Sequence, residues 1–414
     1  MSAFRHRDYL IFWIGALLSN TGSWILNLTV PFVLFELTGS ALWVGAAVAA
    51  QFLPMFVFSP WGGSLADHFP RRQVLLVMQT FMGVAALVLW ALWVADLRDP
   101  WLLLGVMAII GAANGLSMPS WQGFVHDLVP REDLQSAVTW NSLQFNAARA
   151  IGPAIAGLLL ATLGPAWAFG INAASFGCVV LAIMLVRAGR HALRTIRTSG
   201  VIRQFSDAGR YLTTQPGLIL SMLVAGIIGF LGNPVFSFTV VFAGAVFDVG
   251  PLQLGLMNAA LGVGAFISAP LIAGGRWAPQ LSRLVKAGLL TYTGALIVFA
   301  LAPGYIVGIV ALVVIGGCFL TVVASINTAT QVIVADPFRG RVLAMRLMVF
   351  TAAAPLGSLT WGAVADVTGP RAAMVIAGVL MGLVTVALLA LRGSVRLSRL
   401  DDPHDESITA AEAA

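Results

Sequence analysis

Residues 62–76 read GGSLADHFPRRQVLL and lie between two long apolar runs. The stretch gathers Asp67, His68, Pro70, Arg71 and Arg72, then returns at once to apolar residues. The surrounding chain is 59% hydrophobic and 10% charged, with a mean hydropathy of +0.92. Soluble domains carry about 25% charged residues, so the break reads as a turn between two buried helices. Several apolar stretches exceed the ~20 residues that a helix needs to cross the hydrocarbon core. Strands cross a membrane only as closed barrels of alternating polarity, and these stretches are continuously apolar. The fold class expected is therefore all-α and integral to a membrane.

Apolar runs between charged or Pro/Gly punctuation predict twelve transmembrane helices. They cover about 10–36, 41–66, 73–95, 100–126, 137–163, 166–187, 216–245, 252–275, 283–302, 305–334, 343–366 and 371–391. The long first and tenth runs are expected to tilt. The first run is too long for the core of a signal peptide and lacks a small-residue cleavage site, so no cleaved leader is expected. Segment 188–215 is the long internal polar stretch and separates residues 1–187 from 216–392, six spans each. Its arginines suit either an interfacial helix on an anionic inner leaflet or a solvated basic linker. The tail, 393–414, reads as disordered.

Of the 23 Lys and Arg residues, 20 fall on loops and flanks that share a side with the N-terminus. Arg98 and Arg371 fall on the other side, and Arg149 lies within a span. Positive residues stay cytoplasmic, so both termini are expected inside. The net charge of +6 then reports orientation and implies no nucleic acid. Cys178 and Cys318 fall in separate apolar runs and read as small buried hydrophobes. The five histidines show no metal-ligand spacing, and no metal is expected. A phosphate-binding loop needs a lysine after its glycine-rich turn. The one lysine, Lys286, has no such turn, which excludes ATP as the drive.

An internal repeat supports the division into halves. GPAIAGLLLATLGPAWAFG (152–170) aligns with GSLTWGAVADVTGPRAAMV (357–375) at a shift of 205. The same shift sets Gly111 and Ser120 on Gly316 and Ser325. Two parallel six-helix repeats of this kind form the major facilitator architecture.

The opening stretch also resembles the signature loop of the major facilitator superfamily. Gly63, Leu65, Asp67, Arg71 and Arg72 stand in the matching places, and Pro70 replaces the usual glycine. LVPREDLQSAVTWNSLQFNAARAIGPAIAG (128–157) and QFLPMFVFSPWGGSLAD (51–67) resemble the enterobactin-exporter-like branch of bacterial facilitators. Gly152, Pro153 and Gly157 resemble the Gly-Pro motif of drug:proton antiporters, with Ala156 in place of its first paired glycine. The resemblance covers nearly the whole chain, most strongly 51–175 and 336–371. It implies two pseudo-symmetric six-helix bundles in the bacterial inner membrane. It further implies efflux, by alternating access, of a small amphipathic compound that is siderophore-like or drug-like, with protons as the coupling ion. No cofactor is expected, and the chain is expected to act as a monomer.

The resemblance also assigns parts. Asp67 would face the N-terminus of helix eleven, where a carboxylate is worth ~0.3–1 kcal/mol, and Arg71 or Arg72 would pair with Asp127. These contacts would latch the inner gate. The matching turn of the second half keeps Gly274 and Gly275 but has no aspartate. Gly152 and Pro153 interrupt helix five, where small residues allow close packing and proline permits a kink.

Arg149 lies about 12 residues into the fifth run, ~18 Å along it. A central arginine costs ~2.5–3.5 kcal/mol on insertion scales, so it should face the interior with partners, either a substrate's anionic group or neighbouring carbonyls. Asn20, Ser23 and Asn27 share a face of helix one; Asn141, Phe145 and Gly152 share one of helix five. Gln51, Asn114, Gln122, Asn233, Asn258 and Asn327 are single amides in other spans, read as cavity groups or as interhelical hydrogen bonds. Glu36 and Asp366, near the outer ends, are the candidates for proton coupling. Two other readings compete: a lysophospholipid or nutrient importer on this fold, and a membrane-embedded lipid-modifying enzyme. The enzyme would need a nucleophile–base pair or a carboxylate cluster, and the sequence offers neither, so no enzyme is expected.

Overall fold

The computed structural model describes residues 2–187, 201–272, 280–390 and 397–401. Gly274, Gly275 and Arg276 of the second-half turn, residues 188–200 of the linker, 391–396 and 402–414 lie outside the described residues. Within the tail expected to be disordered, Leu397–Leu400 instead form a helical turn that buries Leu397 and Leu400, and Asp401 accepts from Ser282 N–H at 3.1 Å. Every regular element among the described residues is helical. The first half contains α1 (Arg7–Thr38), α2 (Ala41–His68), α3 (Arg71–Val94), α4 (Pro100–Asp127), α5 (Leu134–Thr162) and α6 (Pro165–Leu185). A short helix, α7 (Val201–Thr214), precedes a seventh span built from α8 (Pro216–Ile227) and α9 (Val235–Val241). The rest are α10 (Pro251–Ile272), α11 (Leu281–Leu301), α12 (Tyr305–Ile333), α13 (Arg339–Thr368) and α14 (Pro370–Ala390). Among the described residues, twelve helices are long and apolar enough to cross a membrane.

Local chemistry sets the ends of these elements. Asp99 caps α4 by accepting from the backbone N–H of Trp101 (2.7 Å) and Leu102 (3.3 Å), with Pro100 at the first helical position. Gly39 ends α1 with φ of 65°, a left-handed turn that glycine adopts without strain. The turn from α2 to α3 is only Phe69 and Pro70, and Pro70 is the N-cap of α3, with φ of −56°. The seventh span departs from one continuous α-helix. Turns of π-helix occupy Ile228–Gly232 and Phe242–Val246, the first ending just before Pro234, whose ring cannot continue the α ladder.

The eleventh span also departs from expectation, because α13 begins at Arg339 rather than 343. Arg346, counted on sequence with the inside flank of the span 343–366, is the eighth residue of α13. The second half of the linker forms α7. Its Tyr211 hydroxyl accepts from Ala335 N–H at 3.0 Å, and the ring stacks on Phe338 with centroids 4.4 Å apart.

The chain forms two compact units that do not follow the two sequence halves. One comprises Met1–Ile196, Phe236–Ala259 and Ser358–Pro370; the other comprises Arg197–Val235, Ala260–Gly357 and Arg371–Ala414. In the first unit, α2 and α4 pack backbone to backbone. A Cβ at Gly111 would overlap the Gln51 carbonyl, and one at Gly62 would lie 2.6 Å from Gly115 O. Tyr9 donates to Ala137 O (2.9 Å) and Trp13 to Trp140 O (3.0 Å), tying α1 to α5. The second unit repeats the first pattern: a Cβ at Gly316 would overlap the Leu261 carbonyl between α12 and α10. Small residues at such crossings let helices approach without a hydrophobic drive.

Candidate functional site

The first unit holds its most unusual side chain at mid-span. Arg149 is the sixteenth residue of α5, about 22 Å along it. Its guanidinium carbon lies 5.5 Å from the ring centroid of Trp24 on α1 and 5.5 Å from that of Phe236 on α9. Both distances fall within cation–π range. Phe145, one turn earlier on α5, meets Trp24 edge-on at 6.1 Å. Gly152, one turn later, makes this possible, since any side chain there would overlap Trp24. Pro153 is buried beside it, and Gly157 lies against Gly255 and the Pro251 carbonyl of α10. The acidic residues of the described spans all lie in first or last turns, so the charge at the middle of this unit is positive.

The predicted amides divide into two groups. Gln51 is buried and donates to Asn27 Oδ1 at 2.7 Å, joining α2 to α1. Asn258 donates to Thr239 Oγ1 (3.1 Å) and to Leu254 O (3.2 Å). In the second unit, Asn327 Oδ1 accepts from Arg346 Nη2 at 2.6 Å. These three are interhelical or intrahelical ties. Asn20, Asn114, Asn141 and Asn233 are half-buried. Gln122 is exposed near the end of α4, and Glu36 is exposed in the last turn of α1.

At the end that carries the N-terminus, Arg71 Nη1 donates to Asp127 Oδ1 (2.9 Å) and to Gly123 O (3.1 Å). Arg72 donates to the carbonyls of Ile183 (3.0 Å) and Met184 (2.8 Å), closing the C-terminus of α6. His6 Nε2 and Asp133 Oδ2 are 2.7 Å apart. Asp67 is exposed on the last turn of α2, and Gly63 faces open space. The start of α13, its expected partner, belongs to the other unit.

The opposite end of the first unit gives Asp366 a well-defined place. Its Oδ1 accepts from Ala41 N–H (2.6 Å), and its Oδ2 accepts from Leu42 N–H (3.3 Å) and from the Ser40 hydroxyl. A cavity of about 290 Å³ opens beside it, lined by Phe35, Ser40, Val241, Ala245 and Ala365.

Two buried polar residues went unnoticed in the sequence, and a third polar residue, the half-buried Arg346, was noted only as part of a flank. Gln144 and Asn172 are 1% and 0% exposed, and neither amide has a hydrogen-bond partner among the described residues. Gln144 falls one turn after Asn141 on α5, so helical spacing was the available signal. Arg346 was obscured by its nearness to the Arg339–Arg341 flank.

The chain matches the family model described as transmembrane secretion effector over residues 1–409. It is 27% identical over 396 residues to the multidrug efflux pump Tap of Mycolicibacterium fortuitum, covering 92% of this chain and 96% of that protein. It is 26% identical over 423 residues to the enterobactin exporter EntS of Citrobacter koseri, covering 96% and 95%. Among solved structures, a D-xylose-proton symporter superposes with a TM-score of 0.71 at 13% identity, over 94% of this chain and 98% of that one. A bacterial homologue of the iron transporter ferroportin in an inward-facing state gives 0.67 at 20% identity, over 92% and 98%.

Proposed function

The chain belongs to the transmembrane secretion effector family of major facilitator transporters, and we propose that it exports a small amphipathic compound across the bacterial inner membrane. The names of Tap and EntS support efflux as the direction, with the drug-like or siderophore-like class as cargo. The observation that carries the reading is Arg149, held at mid-span against Trp24 and Phe236. A guanidinium there offers charge and directed N–H donors where the surrounding chain is apolar, and the rings offer flat apolar surface. An amphipathic molecule with an anionic or strongly accepting group matches both. The half-buried amides of Asn20, Asn114 and Asn141 add hydrogen bonds without adding charge.

Transport proceeds by alternating access, with both termini in the cytoplasm. Asp67 docks on the N-terminus of α13 to hold the cytoplasmic gate when the cavity faces outward. The Arg71–Asp127 pair braces the turn that carries it. Protons supply the drive, and Glu36 and Asp366 are the acids within reach of the outer face. The protein works as a monomer.

Accumulation of fluorescent amphiphiles in cells with and without the protein tests this reading. Dissipating the proton gradient should abolish the difference. Arg149→Ala should lower export of acidic compounds by about tenfold, the value of a charge-assisted hydrogen bond, at an unchanged amount of protein in the membrane. Equal export by the variant would remove Arg149 from the binding site.

A further inference from the structure

Two of the spans end in the same five-residue pattern. Gly63-Ser64-Leu65-Ala66-Asp67 closes α2, and Gly362-Ala363-Val364-Ala365-Asp366 closes α13. In each, the glycine and the aspartate are four residues apart and share one helix face. On α13 this face is occupied. A Cβ at Gly362 would lie 2.6 Å from Ala41 O and 2.9 Å from Leu42 Cα, and one at Gly45 would overlap the Ser358 carbonyl. One turn beyond Gly362, Asp366 receives the N–H groups of Ala41 and Leu42 and the hydroxyl of Ser40. The first N–H groups of a helix lack acceptors within it, and its N-terminus carries partial positive charge. Asp366 supplies both missing acceptors and opposite charge.

We propose that Asp366 and the start of α2 form the latch of the outer gate, the counterpart of the one that Asp67 makes at the inner gate. The proposal rests on the alternating-access reading above. The two helices are antiparallel where they meet, since Gly45 abuts Ser358 and Gly362 abuts Ala41 and Leu42. Paired residue numbers therefore sum to 403 or 404. The same two helices carry a second acid, Asp67, near the other end of α2. One helix pair thus carries an acid for each end, and each acid caps its neighbour's N-terminus in one of the two states. The internal repeat does not supply this pairing. Ala161 stands where the shift of 205 would place an equivalent of Asp366, so the Gly157–Gly255 crossing of α5 and α10 has no carboxylate.

The test reads opening directly. Cys178→Ser and Cys318→Ser remove the native thiols, and Ser358→Cys places one at a site that is 1% exposed beneath the latch. A membrane-impermeant maleimide is then added to the outer face of intact cells. Asp366→Ala should raise the labelling rate about fivefold, the population shift expected for loss of a helix cap. Asp67→Ala should lower it by a similar factor, and the double variant should return near the parent rate. Asp366→Glu, which restores a carboxylate, should stay within about twofold of the parent. If Asp366→Ala does not reach the membrane, Asp366→Asn, which keeps an acceptor but loses the charge, is read in the same way. A parental rate in the Asp366 variant, or both single variants moving in the same direction, overturns the proposal. Labelling depends on no exported compound, so its outcome separates this latch from the assignment of cargo.

Discussion

An ionised side chain inside a membrane span must be held by its neighbours, and Arg149 and Arg346 are held differently. Arg149 rests against two aromatic rings, an arrangement that favours a planar guanidinium over the compact ammonium of lysine. Arg346 leans on one amide. Its Nη2 donates to Asn327, while its Nε is buried without a partner among the described residues. Removing Asn327 alone leaves a buried guanidinium with even fewer acceptors, at a cost of about 1–3 kcal/mol. Asn327→Leu should therefore lower the melting midpoint of the purified protein in detergent. Asn327→Leu combined with Arg346→Leu should recover most of the loss, because no polar group is then left unpaired. A double variant as unstable as the single one would show that Arg346 is held by other groups.

Helices α2 and α4 meet through glycine rather than through interlocking side chains. Gly111 faces the Gln51 carbonyl, Gly115 faces that of Met55, and Gly62 closes the row against Gly115. A methyl group at Gly111 must push two backbones apart, and overpacking of this kind costs about 1–3 kcal/mol. Gly105, on the same helix, is exposed and has nothing near the position of a Cβ. Gly111→Ala should lose stability in thermal unfolding where Gly105→Ala does not; equal effects would refute the crossing. Much of this layer was legible beforehand. Continuous hydropathy located the spans, and the shift of 205 already paired Gly111 with Gly316, which occupies the corresponding crossing of α12 against α10. The interior position of Arg149 was legible, because an arginine so far inside an apolar run must face neighbouring side chains, although its aromatic partners were not. Arg346 was not, because an arginine near a basic flank looks the same whether the helix starts before it or after it. The π turns around Pro234 escaped as well, since hydropathy does not report which carbonyl each N–H reaches. Asp366 was seen as an acid near a membrane face, but its partners lie 324–326 residues away in sequence. No local pattern contains that contact.

At the scale of the whole molecule, the distribution of positive charge carries the argument for orientation. On the sequence reading, twenty of the 23 Lys and Arg residues fall with the N-terminus, Arg346 among them although it belongs to the body of α13, and the two expected on the opposite side are both engaged locally. Arg98 pairs with Asp96 at 2.8 Å and lies 4.6 Å from the Trp93 ring centroid. Arg371 donates to the carbonyls of Ala300 (3.0 Å) and Ala302 (2.8 Å), satisfying the C-terminal end of α11. Neither is a free cation that would compete with the set expected inside. A fluorescent protein that matures only in the cytoplasm should glow when fused to either terminus. Alkaline phosphatase, active only outside, should be active when inserted at 96–99 or at 303–304 and inactive after 69. A phosphatase active at the C-terminus would invert or break the twelve-span arrangement and, with it, the assignment of Asp67 and Asp366 to opposite gates. Arg98→Glu together with Arg371→Glu should leave this topology intact, because charges already engaged on the outer side contribute little to retention.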